Sequence, residues 1–223
     1  MTPLRMHLAT GDTIVQSGLI VELHKKFGAL AVPTYPKNAV FVQSLFRDYP
    51  EISTYSIPES WPWGAPLGLI YDEAMRKAGL DKGKEIRLGS YGGEGVGTKS
   101  TYLQAGVPYE KRWDSCPIEE AAKKVEQIEW PNNNRIFLHD DPARNFVITK
   151  WIDRSTAFFP SWASNILSYV NILKTAEEIH VIDSAFFCLV EQLEVEARLF
   201  FHRYARVDPT VIPSRNDWMV IND

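Results

Sequence analysis

The residues best suited to chemistry in this chain stand where apolar runs end. Phe137-Leu138 gives way at once to His139-Asp140-Asp141-Pro142-Ala143-Arg144. Side chains just past the carboxyl end of a strand face the crevice in which open α/β sheets take nucleotides. There a guanidinium can fork onto two phosphate oxygens while an imidazole donates a further bond, which makes His139, Asp141 and Arg144 candidate contacts. The same spacing suits a surface turn in which Asp140 or Asp141 caps Arg144. His139 with Asp140 and Asp141 is also an acceptable ligand set for a divalent ion. A second run, Ile179-His180-Val181-Ile182-Asp183-Ser184-Ala185-Phe186, ends the same way. Asp183 or Ser184 stands where a helix N-cap belongs, so the next amides would point toward an anion held there. His180 alternates with Val181 and Ile182, a pattern shared by core histidines and ligand contacts; His202, in Phe200-Phe201-His202, is equally ambiguous.

Other motifs fail on spacing. Gly92-Gly93-Glu94-Gly95-Val96-Gly97-Thr98-Lys99-Ser100 resembles a phosphate loop, but Thr98 separates Gly97 from Lys99, and the run reads as a glycine-rich loop. There is no GxSxG elbow and no HExxH, and the five histidines are not spaced as a metal pair on one helix. Twenty-four Lys and Arg against 28 Asp and Glu give a net charge of −4, which argues against binding nucleic acid by bulk attraction. Cys116 and Cys188 stand apart, so a disulfide scaffold is not expected and a reducing, cytoplasmic setting is. The sequence offers neither a run of eighteen apolar residues nor the order of a signal peptide, so no integral membrane segment is expected.

The elements that must position these residues follow from periodicity. Leu4 to Ala9 reads as a strand, and Thr10-Gly11-Asp12 as the turn opening a helix to Phe27, with Ile14, Leu19, Leu23 and Phe27 on its apolar stripe and Gly28 as its stop. Strand 29–33, helix 37–48 and strand 51–57 follow. Then come a breaker-rich loop at 58–68, a helix at 71–79, a short helix from Thr101, a loop at 108–117 and a helix at 118–128. Trp130-Pro131-Asn132-Asn133-Asn134 breaks the pattern and sets the expected boundary, with one half at 1–130 and another at 131–223. Beyond it are expected strands at 135–138, 145–149, 178–182 and 198–202, with helices at 162–175 and 184–193. Strands separated by helices require crossovers, hence an α/β fold with Rossmann-like parallel sheets in two compact halves.

The stretch Lys174 to Phe186 resembles the donor-binding half of GT-B-type glycosyltransferases, in which an Asp-Ser helix start receives the pyrophosphate of a nucleotide sugar. Gly11-Asp12 at the head of the first helix is similar to the acceptor-side half of the heptosyltransferase-like branch, and Tyr102 to Trp113 resembles a region of uncharacterised relatives. The resemblance implies a reduced GT-B arrangement that transfers a sugar from a nucleoside-diphosphate sugar to a hydroxyl acceptor without a metal or other cofactor. It implies that His139, Asp141, Arg144, His180, Asp183 and Ser184 hold the nucleotide sugar, that the departing diphosphate is stabilised by a helix terminus and cationic groups, and that Asp12 is the base. The chain is short for a two-lobed enzyme of that kind. A non-catalytic nucleotide-sugar-binding or assembly protein is therefore the alternative, and a metal-dependent hydrolase using the His139 to Asp141 cluster is a third.

Overall fold

The computed structural model describes residues 1–6, 9–59, 67–89, 98–161, 165–206, 213–214 and 217–222. The chain divides into two compact units, Met1–Ala121 and Ala122–Asp223. The division precedes the asparagine run at 132–134 because the Gln127 side chain donates to the Leu167 carbonyl and accepts from the Asn171 amide, while Ile128 donates to Ser168. These bonds attach the approach to the linker to the second unit.

In the first unit the order is β1 (Thr2–Arg5), α1 (Thr10–Phe27), β2 (Leu30–Thr34), α2 (Ala39–Leu45), β3 (Ile52–Ser56), α3 (Leu67–Lys77), β4 (Ile86–Arg87), α4 (Thr98–Gln104), α5 (Lys111–Asp114) and α6, which spans Ile118–Ala122. All pairings are parallel and the sheet runs β3-β2-β1-β4. The run β3-β2-β1 is the strand order of one mononucleotide-binding half of a doubly wound fold, and β4 stands on the other side of β1, where the next half would begin. Ile14, Leu19 and Leu23 of α1 are buried, but so is every residue from Thr13 to Val21, so this stretch is covered on all sides; Phe27, in the last turn, is exposed. Gly28 stops the helix at φ 71°, a conformation that costs glycine nothing, and its amide donates to His24. The Tyr55 and Tyr71 hydroxyls donate to the carbonyls of Leu4 and Met6, securing the end of β1.

The second unit contains β5 (Ile136–His139), α7 (Val170–Thr175), β6 (Glu178–Val181), α8 (Ala185–Val190), β7 (Arg198–His202) and β8 (Trp218–Ile221), in a parallel sheet ordered β5-β6-β7-β8. Phe158 joins the other edge of β5 in a parallel bridge, its amide donating to Ile136 and its carbonyl accepting from Leu138. The chain thus leaves β5, returns along one side of it, and then continues on the other side as β6. This makes β5 the point at which strand order reverses, and such points are where open α/β sheets leave a crevice at the carboxyl ends.

Several elements differ from their expected extents. The strand expected at 145–149 is absent: Phe146 makes one antiparallel bridge to Asp141, and the Ile148 amide turns to the Asp140 carboxylate. The helix expected from 118 to 128 ends at Ala122, where the Gln127 amide group takes the freed carbonyls of Ala122 and Val125. The helix expected over 162–175 begins as a tight turn at Ile166–Tyr169 capped by Asn165, before α7. Strands β4 and β8 and helix α5 were not expected, the first because two residues carry no period. The expected glycine-rich loop at 92–97, most of the breaker-rich loop at 60–66, residues 7–8 of the first expected strand and residues 162–164 lie outside the described residues. Among the described residues no helix is long and apolar enough to cross a membrane, and both cysteines are free thiols.

Candidate functional site

Three chain turns meet at the carboxyl ends of β5, β6 and β7. After β5, Asp141 and Phe146 exchange backbone hydrogen bonds at 2.8 and 2.9 Å, and Asn145 closes the turn in the left-handed region at φ 60°. Asparagine adopts that region readily because its short amide bonds locally. Within this turn the Asp141 carboxylate accepts from the Arg144 amide at 3.2 Å and from its Nε at 2.5 Å. The capping alternative read from the sequence is therefore present. It does not consume the guanidinium, because Nε is the nitrogen engaged; among the described residues the Nη nitrogens of Arg144 meet no protein acceptor. The side chain stays largely exposed, and its charge lies 5.3 Å from the centroid of the Phe146 ring.

A second guanidinium reaches the same ring. Arg206 follows the short turn Arg203–Ala205 beyond β7, and its charge lies 5.6 Å from the Phe146 centroid. Its Nη1 donates to the Asp183 carbonyl at 2.5 Å and lies 3.7 Å from that residue's carboxylate. Ser184 is the N-cap of α8: extended at φ −159°, it accepts from the Phe187 amide at 3.4 Å. Arg144 and Arg206 thus share one aromatic wall beside the Asp183-Ser184 turn, each with a carboxylate that holds it in place.

Arg206 was missed by the sequence reading because it belongs to no spacing motif and stands far from Arg144 along the chain. The signal was the strand-end rule itself. Applied to the end of Phe200-Phe201-His202 as it was to β5 and β6, it points to the arginines that follow.

The remaining expected residues sit elsewhere. His139 is buried against the Phe186 ring of α8, with centroids 4.7 Å apart, and desolvation lowers its pKa to about 4. It is a packed neutral imidazole at ordinary pH. His180 is fully buried, stacked on Phe200 at 4.3 Å, and bonded through Nδ1 to His202 Nε2 at 2.9 Å and through Nε2 to Glu178 at 3.0 Å. A carboxylate only accepts, so Nε2 of His180 carries a proton; in the neutral pair, Nδ1 of His180 then accepts from His202 Nε2. Arg198 completes the chain by pairing with Glu178. Burial pushes both histidines down, His202 to about 3, with the neighbouring His180 as its second cause. Asp12 lies in the first unit, in the first turn of α1, where its carboxylate accepts from the Ala9 amide at 3.2 Å. Thr10, Gly11 and Asp12 are therefore the first helical turn itself, with Ala9 as N-cap.

No protein-family model matches the sequence, and no curated protein matches it. Among solved structures, the E. coli ADP-heptose LPS heptosyltransferase II aligns over 99% of this chain and 89% of its own, with a TM-score of 0.48 and 10% sequence identity. At that score and identity the likeness assigns neither a family nor an activity to this chain. What the topology defines is an α/β protein of two Rossmann-like parallel sheets.

Proposed function

We propose that the second unit binds the diphosphate of a nucleoside-diphosphate sugar at the Arg144–Phe146–Arg206 cluster, and that the protein transfers the sugar to a hydroxyl acceptor. The observation that carries the reading is the arrival of two guanidinium groups from different loops at one aromatic wall, beside the reversal point of a parallel sheet. A departing diphosphate gains negative charge as its bond to the sugar breaks, and pre-placed cations stabilise that charge without rearranging during the reaction. Asp141 and Asp183 hold the arginines through Nε and one Nη, so a bound diphosphate meets groups that have already lost much of their side-chain freedom. In this reading Ser184 and the amides after it contribute further donors, the charge is met by guanidinium groups so that no metal is needed, and Asp12 removes the acceptor proton.

Isothermal titration with inorganic pyrophosphate, nucleoside diphosphates and nucleotide sugars, each with and without EDTA, tests the binding half. Charged hydrogen bonds contribute about 1.5 to 3 kcal/mol, so Arg144→Ala or Arg206→Ala is expected to weaken pyrophosphate binding roughly ten- to a hundredfold. Unaltered affinity in both variants would remove the assignment. For the chemical half, Asp12→Asn is expected to abolish transfer while leaving donor binding intact. A second reading, a non-catalytic nucleotide-sugar-binding protein, is favoured by one observation: the Asp12 carboxylate is already committed to the Ala9 amide as a helix cap. Tight donor binding without turnover against any acceptor supports that reading.

A further inference from the structure

Among the described residues, two non-glycine residues adopt positive φ, and both lie in the loop between β5 and Phe158 that carries Arg144. Asn145 is ordinary in this role. Trp151, at φ 69°, is not, since its side chain disfavours the left-handed region and no local amide offsets the cost. Such a conformation persists only where its surroundings hold it. Here they do: the amides of Thr149 and Lys150 both donate to the Tyr204 hydroxyl at 2.9 Å, Ile148 is tied through its amide to Asp140, and its carbonyl accepts from Arg154 at 2.8 Å. Downstream, Asp153 caps the turn at Arg154–Thr156. The backbone on both sides of Trp151 is pinned, yet the indole is 65% exposed. Indole burial would contribute favourably to folding, so the loop holds the largest apolar side chain out in solvent through a strained backbone.

Its place in the fold says what the ring meets. Trp151 follows Phe146 by five residues, a reach of at most roughly 18 Å between Cα atoms even if fully extended. Tyr204, which anchors its neighbour Lys150, lies two residues before Arg206. A flat, exposed aromatic surface is therefore carried on the loop that supplies one of the diphosphate anchors and tied to the turn that supplies the other. We infer that Trp151 is the stacking platform for the base of the bound nucleotide. This deepens the proposed function and rests on it: the arginines hold the diphosphate, and the indole holds the heterocycle attached through the ribose. Stacking accepts any base, because every base presents a π-face, so the platform selects nucleotides over bare phosphates and discriminates little among bases.

The test uses the full chain and three probes, ADP, UDP and inorganic pyrophosphate, titrated calorimetrically into wild type, Trp151→Ala and Trp151→Phe. Trp151→Ala is expected to lose tenfold or more in affinity for ADP and UDP with pyrophosphate affinity unchanged, and Trp151→Phe to recover most of the loss. Because the indole is exposed, both variants should unfold at or above the wild-type temperature, which checks that the loss is not a folding defect. If wild type binds all three probes and Trp151→Ala binds ADP as tightly, the platform is refuted while the diphosphate anchor stands. If wild type binds neither pyrophosphate nor ADP, the anchor itself fails, and the platform with it.

Discussion

Arg144 and Asp141 show how one pair can fit two readings at once. The carboxylate caps the turn and takes Nε, and that capture sets the direction in which the remaining fork points. Asp141→Asn is therefore expected to weaken anion binding less than Arg144→Ala, by loosening the arginine instead of removing it; titration with pyrophosphate distinguishes the two. The buried histidines make a separate prediction. His202 has a folded-state pKa near 3 against an unfolded value of 6.5, so its neutral form stabilises the fold. That contribution is complete above about pH 6.5 and is lost as pH falls toward 3, because the unfolded chain binds the proton first. His180 is bonded to His202 and is also held down by burial, so the two histidines titrate as a pair and together are expected to lower stability between pH 7 and pH 5. Urea denaturation at pH 7 and pH 5 is expected to show that loss, and a shape-conserving His202→Phe variant to show less of it.

Helices and strands were legible wherever a period had room to repeat. Helix α1 spans five turns and stops at the expected glycine, although Thr13 to Val21 are buried all round and not only along the stripe of Ile14, Leu19 and Leu23. Strand β4 pairs through two residues, and its position beside β1 depends on tertiary contacts that no local pattern encodes. The loop after β5 was misread as a strand because Phe146, Val147 and Ile148 are good strand formers. The carboxylates of Asp140 and Asp141 instead capture amides at 148 and 144, and a side-chain acceptor of that kind leaves no local periodic trace. The same limit hides the environment of Trp151, whereas Arg206 follows from the strand-end rule applied to Phe200-Phe201-His202. At this scale Gly18 of α1 makes a sharp prediction. A Cβ there would overlap the Lys111 carbonyl oxygen and stand 3.0 Å from that of Arg112, both backbone atoms of α5 and its neighbourhood. Gly18→Ala is expected to cost about 1 to 3 kcal/mol, as overpacking does, against roughly 0.5 to 1 kcal/mol gained from better helix propensity, so the net effect is a loss. A lowered midpoint in thermal denaturation would register it.

Across the molecule, a net charge of −4 opposes the approach of an anion at long range, while the two guanidiniums attract it at contact. Salt screens both, but the screening length falls to about 10 Å at 0.1 M, so the distant repulsion fades first. Pyrophosphate association is accordingly expected to speed up slightly between very low and 0.1 M salt before affinity declines at higher concentrations, a biphasic response readable by stopped-flow. The strand order of the first unit has a consequence for synthesis on the ribosome. Strand β1 is made first but lies inside its sheet, with β2 on one edge and β4 on the other. One flank closes when residues 30–31 emerge, whereas the other stays open until 86–87 are made. For that interval the nascent chain presents an unpaired row of amides and carbonyls, so stalled products ending before residue 86 should be the ones that chaperones retain and that precipitate when released.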